Sequence, residues 1–519
     1  MTFLDDIQTV QSYKLTENGA LALNTTKSAL LDLFATSGAL RSRSKQTIKD
    51  KFLNAMAEDK TLATKLAFYT RDIRGGLGER RTGRIMFNTL GKYYPDIMDK
   101  NVKLLAEYGR YDDLFSLFDT KSEQAAINVI ADQLKKDITD MFKGKQISLL
   151  AKWLPSVNTS SYKTCNQAKK LCTALNMSQK EYRKTLSSLR AYLNVTEVRL
   201  SSKTYDLIKY DEVPSYAMHN YSRAFRRHDN KRFNDYMDLV KNNESKINAS
   251  VLYPYDIVYK YLYTTNSFNY DNACFALIDD DEEEDLTFDI EDDFVKQNPM
   301  DYDVLEQQWR ALPNYVTGNN KFLIMADVSG SMAGRPIATS IGLAMYFAER
   351  NKGEFANKFM TFSTSPRLVD IKGDTLFDKI NYISSADWDM STNLKAAFDL
   401  VLNTAIIKHS PVSDLPDSIV VITDMEFDCC TSKNDTTFYD AMAKRFADAG
   451  YKIPKVVFWN VNARMDTFHT DMHEQGVQFI SGSSPSAFKA LVDGKDFGPI
   501  ELMLSVLNSP RYEQISVQA

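Results

Sequence analysis

The run Ser418-Ile419-Val420-Val421-Ile422-Thr423 constrains the fold most. Its apolar residues are consecutive rather than alternating, so they must be buried on both faces, as a helix-covered parallel sheet allows. Similar short runs recur from Lys321 onward, and strands are expected at 322–326, 358–362, 367–371, 456–459 and 477–480. Helical patterns lie between them. They cover 336–349, with Pro336 in a first turn, 374–382, 393–407, and 435–449, which ends at Gly450. This alternation predicts a Rossmann-like, doubly wound, mainly parallel sheet in an α/β domain over 319–519, with ligands beyond the carboxyl ends of its strands.

Residues 1–278 read differently. Alternating β-branched runs are few, and helical spacing is clear over 48–57, 62–69, 127–142, 182–193 and 232–241. At about 40 residues per helical pair the region has room for six or seven hairpins, a HEAT-like helical-repeat domain. No sequence period fixes the repeat, and an irregular helical bundle is the alternative. The fold class is therefore α plus α/β.

Charge divides the chain at the same place. The net charge is -5. Residues 1–278 hold about 42 Lys and Arg against about 30 Asp and Glu, and the rest about 21 against about 38. A basic half is an electrostatic reason to expect a polyanion, and attraction between two domains is the other reading. The boundary is an acidic block at 279–285, extended by Asp289, Glu291, Asp292 and Asp293. It reads as a solvated linker over 279–297, followed by a connecting segment over 298–318; a cover for a basic surface is the alternative. No apolar run reaches the ~18 residues of a membrane span. Met1–Val10 carries Asp5 and Asp6 and lacks a signal-peptide pattern. Five cysteines in 519 residues argue against a disulfide framework. The expected compartment is cytoplasmic, the host cytoplasm if the source is viral.

After the strand at 322–326 stands Asp327-Val328-Ser329-Gly330-Ser331. A carboxylate and two hydroxyls in one tight turn can converge on a hard cation such as Mg²⁺, or Mn²⁺ or Ca²⁺. Two more oxygen donors follow other elements: Thr392 before a helix and Asp424 after the strand at 418–423. Other signals are weaker. His469 and His473 read as a surface pair, because a third zinc ligand is missing. There is no Cys-x-x-Cys, dinucleotide fingerprint or P-loop.

The five oxygen donors resemble the metal-ion-dependent adhesion site of von Willebrand factor A domains. All five positions of that pattern match: Asp327, Ser329, Ser331, Thr392 and Asp424. The resemblance implies that the serines and the threonine coordinate the cation, that the aspartates often act through water, and that a partner's carboxylate fills the last position.

Two basic stretches stand out in the helical half. In residues 68–84, Arg71, Arg74, Arg80, Arg81 and Arg84 surround a glycine turn. Guanidinium groups there serve either phosphate binding or pairing with Asp72, Glu79 and their neighbours. In residues 216–232, Arg223, Arg226, Arg227, Lys231 and Arg232 interleave with Tyr216, Tyr221 and Phe225. Cations beside rings suit single-stranded RNA, although at helical spacing the rings suit a core better.

Residues 71–84, with Tyr182-Arg183-Lys184, Leu189-Arg190, Leu193, Glu197 and 213–217, resemble a family of phage, plant and protist proteins. In it a helical N-terminal region precedes a von Willebrand A domain. The same order is similar to that of the Ro (TROVE) ribonucleoprotein autoantigens. That likeness implies a ring of helical repeats closed by the A domain, binding small non-coding or misfolded RNA. The acidic block at 279–293 is a departure that would obstruct RNA. The expected function is an RNA-binding, Ro-like ribonucleoprotein component with a divalent-cation site; the alternative is a metal-dependent protein-interaction scaffold. An enzyme is not expected, because a two-metal nuclease needs more carboxylates than Asp327 and Asp424, with Glu426 and Asp428 the nearest others in sequence.

Overall fold

The computed structural model describes residues 13–264, 301–316, 320–361, 365–384, 393–428, 438–492 and 498–517. The expected linker at 279–297 and Thr392 lie outside them.

The six-stranded sheet has the order β5-β4-β3-β6-β7-β8. Its strands are β3 Phe322–Ala326, β4 Lys358–Thr361, β5 Leu368–Asp370, β6 Ser418–Thr423, β7 Lys455–Asn460 and β8 Val477–Ser481. All neighbours are parallel except β4 and β5. The consecutive apolar run of β6 is buried at every residue, as its lack of alternation requires. Ile419 and Val421 join one core layer while Val420 and Ile422 join the other.

The helical half contains α1 Ala29–Thr36, α2 Lys45–Glu58, α3 Lys60–Arg71, α4 Arg80–Tyr93, α5 Glu123–Phe142, α6 Tyr162–Ala174, α7 Gln179–Tyr192, α8 Ser215–His228, α9 Asn230–Lys241 and α10 Pro254–Thr264. Later in the chain come α11 Tyr302–Arg310, α12 Arg335–Arg350, α13 Leu376–Ser384, α14 Leu394–Lys408, α15 Phe438–Asp448 and α16 Pro499–Leu507. Caps explain several boundaries: Asp59 accepts from Leu62 N at the start of α3, and Ser178 with Glu181 forms a capping box on α7. Among the described residues no helix is long and apolar enough to cross a membrane.

The boundary written in charge is not a boundary in packing. One sheet face is covered by α14 and α15 through Phe398, Phe438 and Phe446. The other is covered by α12, buried at every residue from 337 to 348. That burial is complete because α10, from the helical half, lies on the far side of α12. At Gly342 an added Cβ would stand 3.1 Å from the backbone of Pro254 and Tyr255, so the two helices approach closely. A single hydrophobic core runs from Leu30 through Ile257 and Ile341 to Ile515.

The N-terminal segment also departs from the helical expectation. Strands β1 Tyr13–Leu15 and β2 Leu21–Leu23 form an antiparallel hairpin. It lies over the loops after β6 and β7: Thr16 Oγ1 donates to Phe427 O at 2.7 Å, and Leu23 and Phe468 exchange two backbone bonds. The chain then packs onto β8. Gly38 N donates to Ser481 Oγ, and a Cβ on Gly38 would stand 2.6 Å from Ser481 C and 2.7 Å from Gly482 Cα. Backbone cannot yield as a side chain can, so Gly38→Ala is expected to cost about 1–3 kcal/mol. A thermal melt that matches wild type would contradict this tight seam.

Candidate functional site

The direction of winding reverses between β3 and β6, so their carboxyl ends flank the crevice where doubly wound sheets bind ligands. Ala326 and Ile422 are register partners, and the residues that follow bring Asp327 and Asp424 to one place. Asp327 N donates to Ile422 O at 2.9 Å, which pins the turn to the neighbouring strand. Asp327 Oδ1 accepts from Ser329 N at 2.9 Å and Oδ2 accepts from Thr423 Oγ1 at 2.7 Å. The Ser329 and Ser331 hydroxyl oxygens are 3.1 Å apart. Asp327, Ser329 and Asp424 are buried, and Gly330 and Ser331 are half-buried at the mouth. Gly334, at φ 86, lets the chain turn into α12.

Electrostatics set the character of this edge. Burial, and then the neighbouring Asp424 carboxylate, push the Asp327 carboxyl up to about 7. Asp424 has its own partner: Arg464 Nη2 donates to its Oδ2 at 3.1 Å. The same guanidinium reaches Glu17 of the N-terminal hairpin at 2.7 Å. Glu426, which stood near the site in sequence, is bonded to Glu17 N and Thr467 Oγ1. Among the described residues no three His, Cys, Asp or Glu side chains form a metal-binding group. The donor set is two carboxylates beside neutral hydroxyls, all hard oxygens that suit Mg²⁺, Mn²⁺ or Ca²⁺ better than a thiophilic metal.

Four of the five sequence-selected donors, Asp327, Ser329, Ser331 and Asp424, therefore meet at one edge; Thr392 lies outside the described residues. Thr423, Arg464 and Glu17 were missed. Thr423 was available as the last residue of a strand that ends beside Asp424, whereas nothing local marks Arg464 or Glu17. The reading of His469 and His473 as a surface pair needs correction. His469 is fully buried, its Nε2 lies 2.9 Å from Met425 O, and its ring packs 4.5 Å from Phe427. Burial lowers its pKa to about 4, while His473 is exposed.

The glycine-turn arginines are largely committed to packing. Arg71 is 2% exposed and reaches Asp113 at 2.8 Å, and Arg84 reaches Asp113 at 2.7 Å and Asp112 at 2.8 Å. Arg80 pairs with Asp112 at 3.2 Å. Arg74 donates to the Glu107 carbonyl and Arg81 to the Arg41 and Arg43 carbonyls. In the second stretch, Phe225 is core among Tyr210 and Phe233, and the Tyr216 hydroxyl donates to Asp256 at 2.8 Å. Arg226 pairs with Asp301 and Asp303, and Arg232 with Asp229. Arg223 is half-buried; Arg227 and Lys231 are exposed on the turn from α8 to α9.

Comparison with known proteins divides the chain where β3 begins. Residues 16–118 and 124–321 match the family model described as a domain of unknown function, DUF2828. Residues 321–509 match another, the domain of unknown function DUF7788. An uncharacterized protein of Acanthamoeba polyphaga mimivirus is 28% identical over 533 residues, covering 95% of this chain and 86% of its own length.

Proposed function

The chain belongs to the DUF2828 family, and we propose that its sheet edge is a divalent-cation site of von Willebrand A type that captures an acidic group of a partner. The observation that carries this reading is the meeting of Asp327 and Asp424 at the switch point, with the Ser329 and Ser331 hydroxyls turned toward each other. Two carboxylates, one already paired with Arg464, leave a dication under-neutralised, so it retains affinity for an external carboxylate. Thr392 would add a neutral donor. Nothing in this scheme needs a nucleophile or a second metal. The test is a pull-down of partners with the full chain. Capture that EDTA abolishes, that Mg²⁺ or Mn²⁺ restores, and that Asp327→Ala removes without unfolding the protein is the expected result. Capture indifferent to both treatments would refute it.

A second reading, an RNA-binding Ro-like component, is favoured by the basic excess of residues 1–278. The arginines that pair with Asp112 and Asp113 are poor probes of it, because removing them disturbs the fold. Arg227→Glu with Lys231→Glu is the cleaner test at the α8–α9 turn. It is expected to weaken binding of a small structured RNA several-fold and to flatten the salt dependence. Unchanged affinity would remove this turn from the RNA surface.

A further inference from the structure

A third positive region, longer than the two arginine stretches and larger in net charge, lies between them. Residues 135–192 contain 12 Lys and Arg against 3 Asp and Glu. Two of those acids are engaged: Asp137 is buried against Ser148, and Glu181 caps α7 through Ser178. Helix α7 buries Tyr182, Leu186 and Leu189, which turns Lys180, Lys184, Ser188 and Tyr192 outward on the opposite face. That stripe ends where the Tyr192 hydroxyl donates to Lys145 O at 2.8 Å, in the turn that follows α5. Here the chain exposes Phe142 at 81%, with Lys143 and Lys145 beside it and Tyr192 at 42%. Lys143, Lys145, Lys180 and Lys184 make no ion pair with the described residues.

An exposed ring costs solubility and gains nothing for a purely solvated lysine face. Lysines spaced along a helix attract a phosphate backbone, and uncovered rings at its end offer bases a stacking platform. An acidic protein would satisfy the lysines and leave the rings unused. We propose that the outer face of α7 and the turn after α5 form a binding surface for single-stranded RNA, with Phe142 and Tyr192 stacking on bases and Lys143, Lys145, Lys180 and Lys184 holding phosphates. This rests on the RNA-binding reading and gives it a location.

The experiment is fluorescence anisotropy of the full chain with a short labelled single-stranded RNA across a salt series. K143E/K145E/K180E/K184E is expected to lose about tenfold or more in affinity and to flatten the log–log salt slope by about three. F142A/Y192A is expected to lose about tenfold at fixed salt with its slope retained. The control K408E/K452E, exposed lysines of the sheet half, is expected to bind as wild type does. Circular dichroism establishes that each variant is folded. If wild type does not bind RNA, the RNA reading and this surface fall together. If wild type binds and both patch variants bind equally well, the surface alone is wrong. Equal binding of duplex RNA, or displacement by polyglutamate as effective as by single-stranded RNA, would overturn the assignment of its ligand.

Discussion

Replacing Asp113 with alanine is expected to destabilise the protein by about 3–5 kcal/mol, the cost of leaving a buried charge without its partner. Asp113 is fully buried and accepts from Arg71 Nε at 2.9 Å, Arg84 Nε at 2.7 Å and the backbone N of Arg110 at 2.8 Å. It joins α3, α4 and the turn at 110–113 through one carboxylate. Close approach is built in around it, since a Cβ on Gly109 would stand 2.2 Å from its Oδ2. Arg71, 2% exposed, has no solvent to turn to once Asp113 is gone. The two arginines hold the Asp113 carboxyl well below the ordinary value of 3.8, although burial alone would raise it. Its contribution is therefore fully present above that value and is lost as pH falls through the folded one. Urea unfolding at neutral pH measures the effect, with Arg74→Ala as a comparison. Arg74 is exposed on the glycine turn between α3 and α4, and its removal is expected to cost under about 1 kcal/mol. Equal midpoints for the two variants would show that the carboxylate is not the hub described.

The same cluster shows what the sequence conveys and what it withholds. Five arginines around a glycine turn are visible at once, but a run of charge reports composition, not partners. The carboxylates that pair with three of them, Asp112 and Asp113, lie some 30–40 residues away and are brought near only by folding. Strands β3, β6, β7 and β8 were legible because a doubly buried strand carries a mostly apolar run, and that demand is local. Helices α2, α5, α7 and α9 were legible because one buried stripe imposes a period. The hairpin at 13–23 carries neither mark: its strands have three residues each and gain their hold from Phe427, Glu426 and Phe468, more than 400 residues later. For the same reason Glu17 and Arg464 were unreadable, whereas Asp327, Ser329, Ser331 and Asp424 sit at strand ends where the fold class itself directs attention.

Asp327→Asn is expected to abolish cation binding and, in the absence of cation, to stabilise the protein at alkaline pH. The reasoning starts from the folded carboxyl, held up to about 7 by burial and then by Asp424, against an ordinary value of 3.8. Between those values the folded chain keeps a proton that the unfolded chain has released, so stability declines as pH rises through that window. By about pH 8 the cation-free protein carries two neighbouring buried carboxylates, an unfavourable arrangement worth on the order of a few kcal/mol. A divalent cation removes the repulsion, so binding releases about half a proton per cation near pH 7 and close to one near pH 6, and affinity rises with pH over that range. The asparagine amide keeps the acceptor for Ser329 N, and its NH₂ can donate to Thr423 Oγ1, so the turn survives without the charge. Thermal melts of wild type with EDTA should therefore fall from about pH 5 to about pH 8 and recover when Mg²⁺ or Mn²⁺ is added. The variant should be flatter over that range, more stable than wild type at its upper end, and unmoved by either cation. A variant that still shifts with cation would place the metal elsewhere. A wild-type melting temperature independent of pH would show that Asp327 and Asp424 do not share one charge-repelling site.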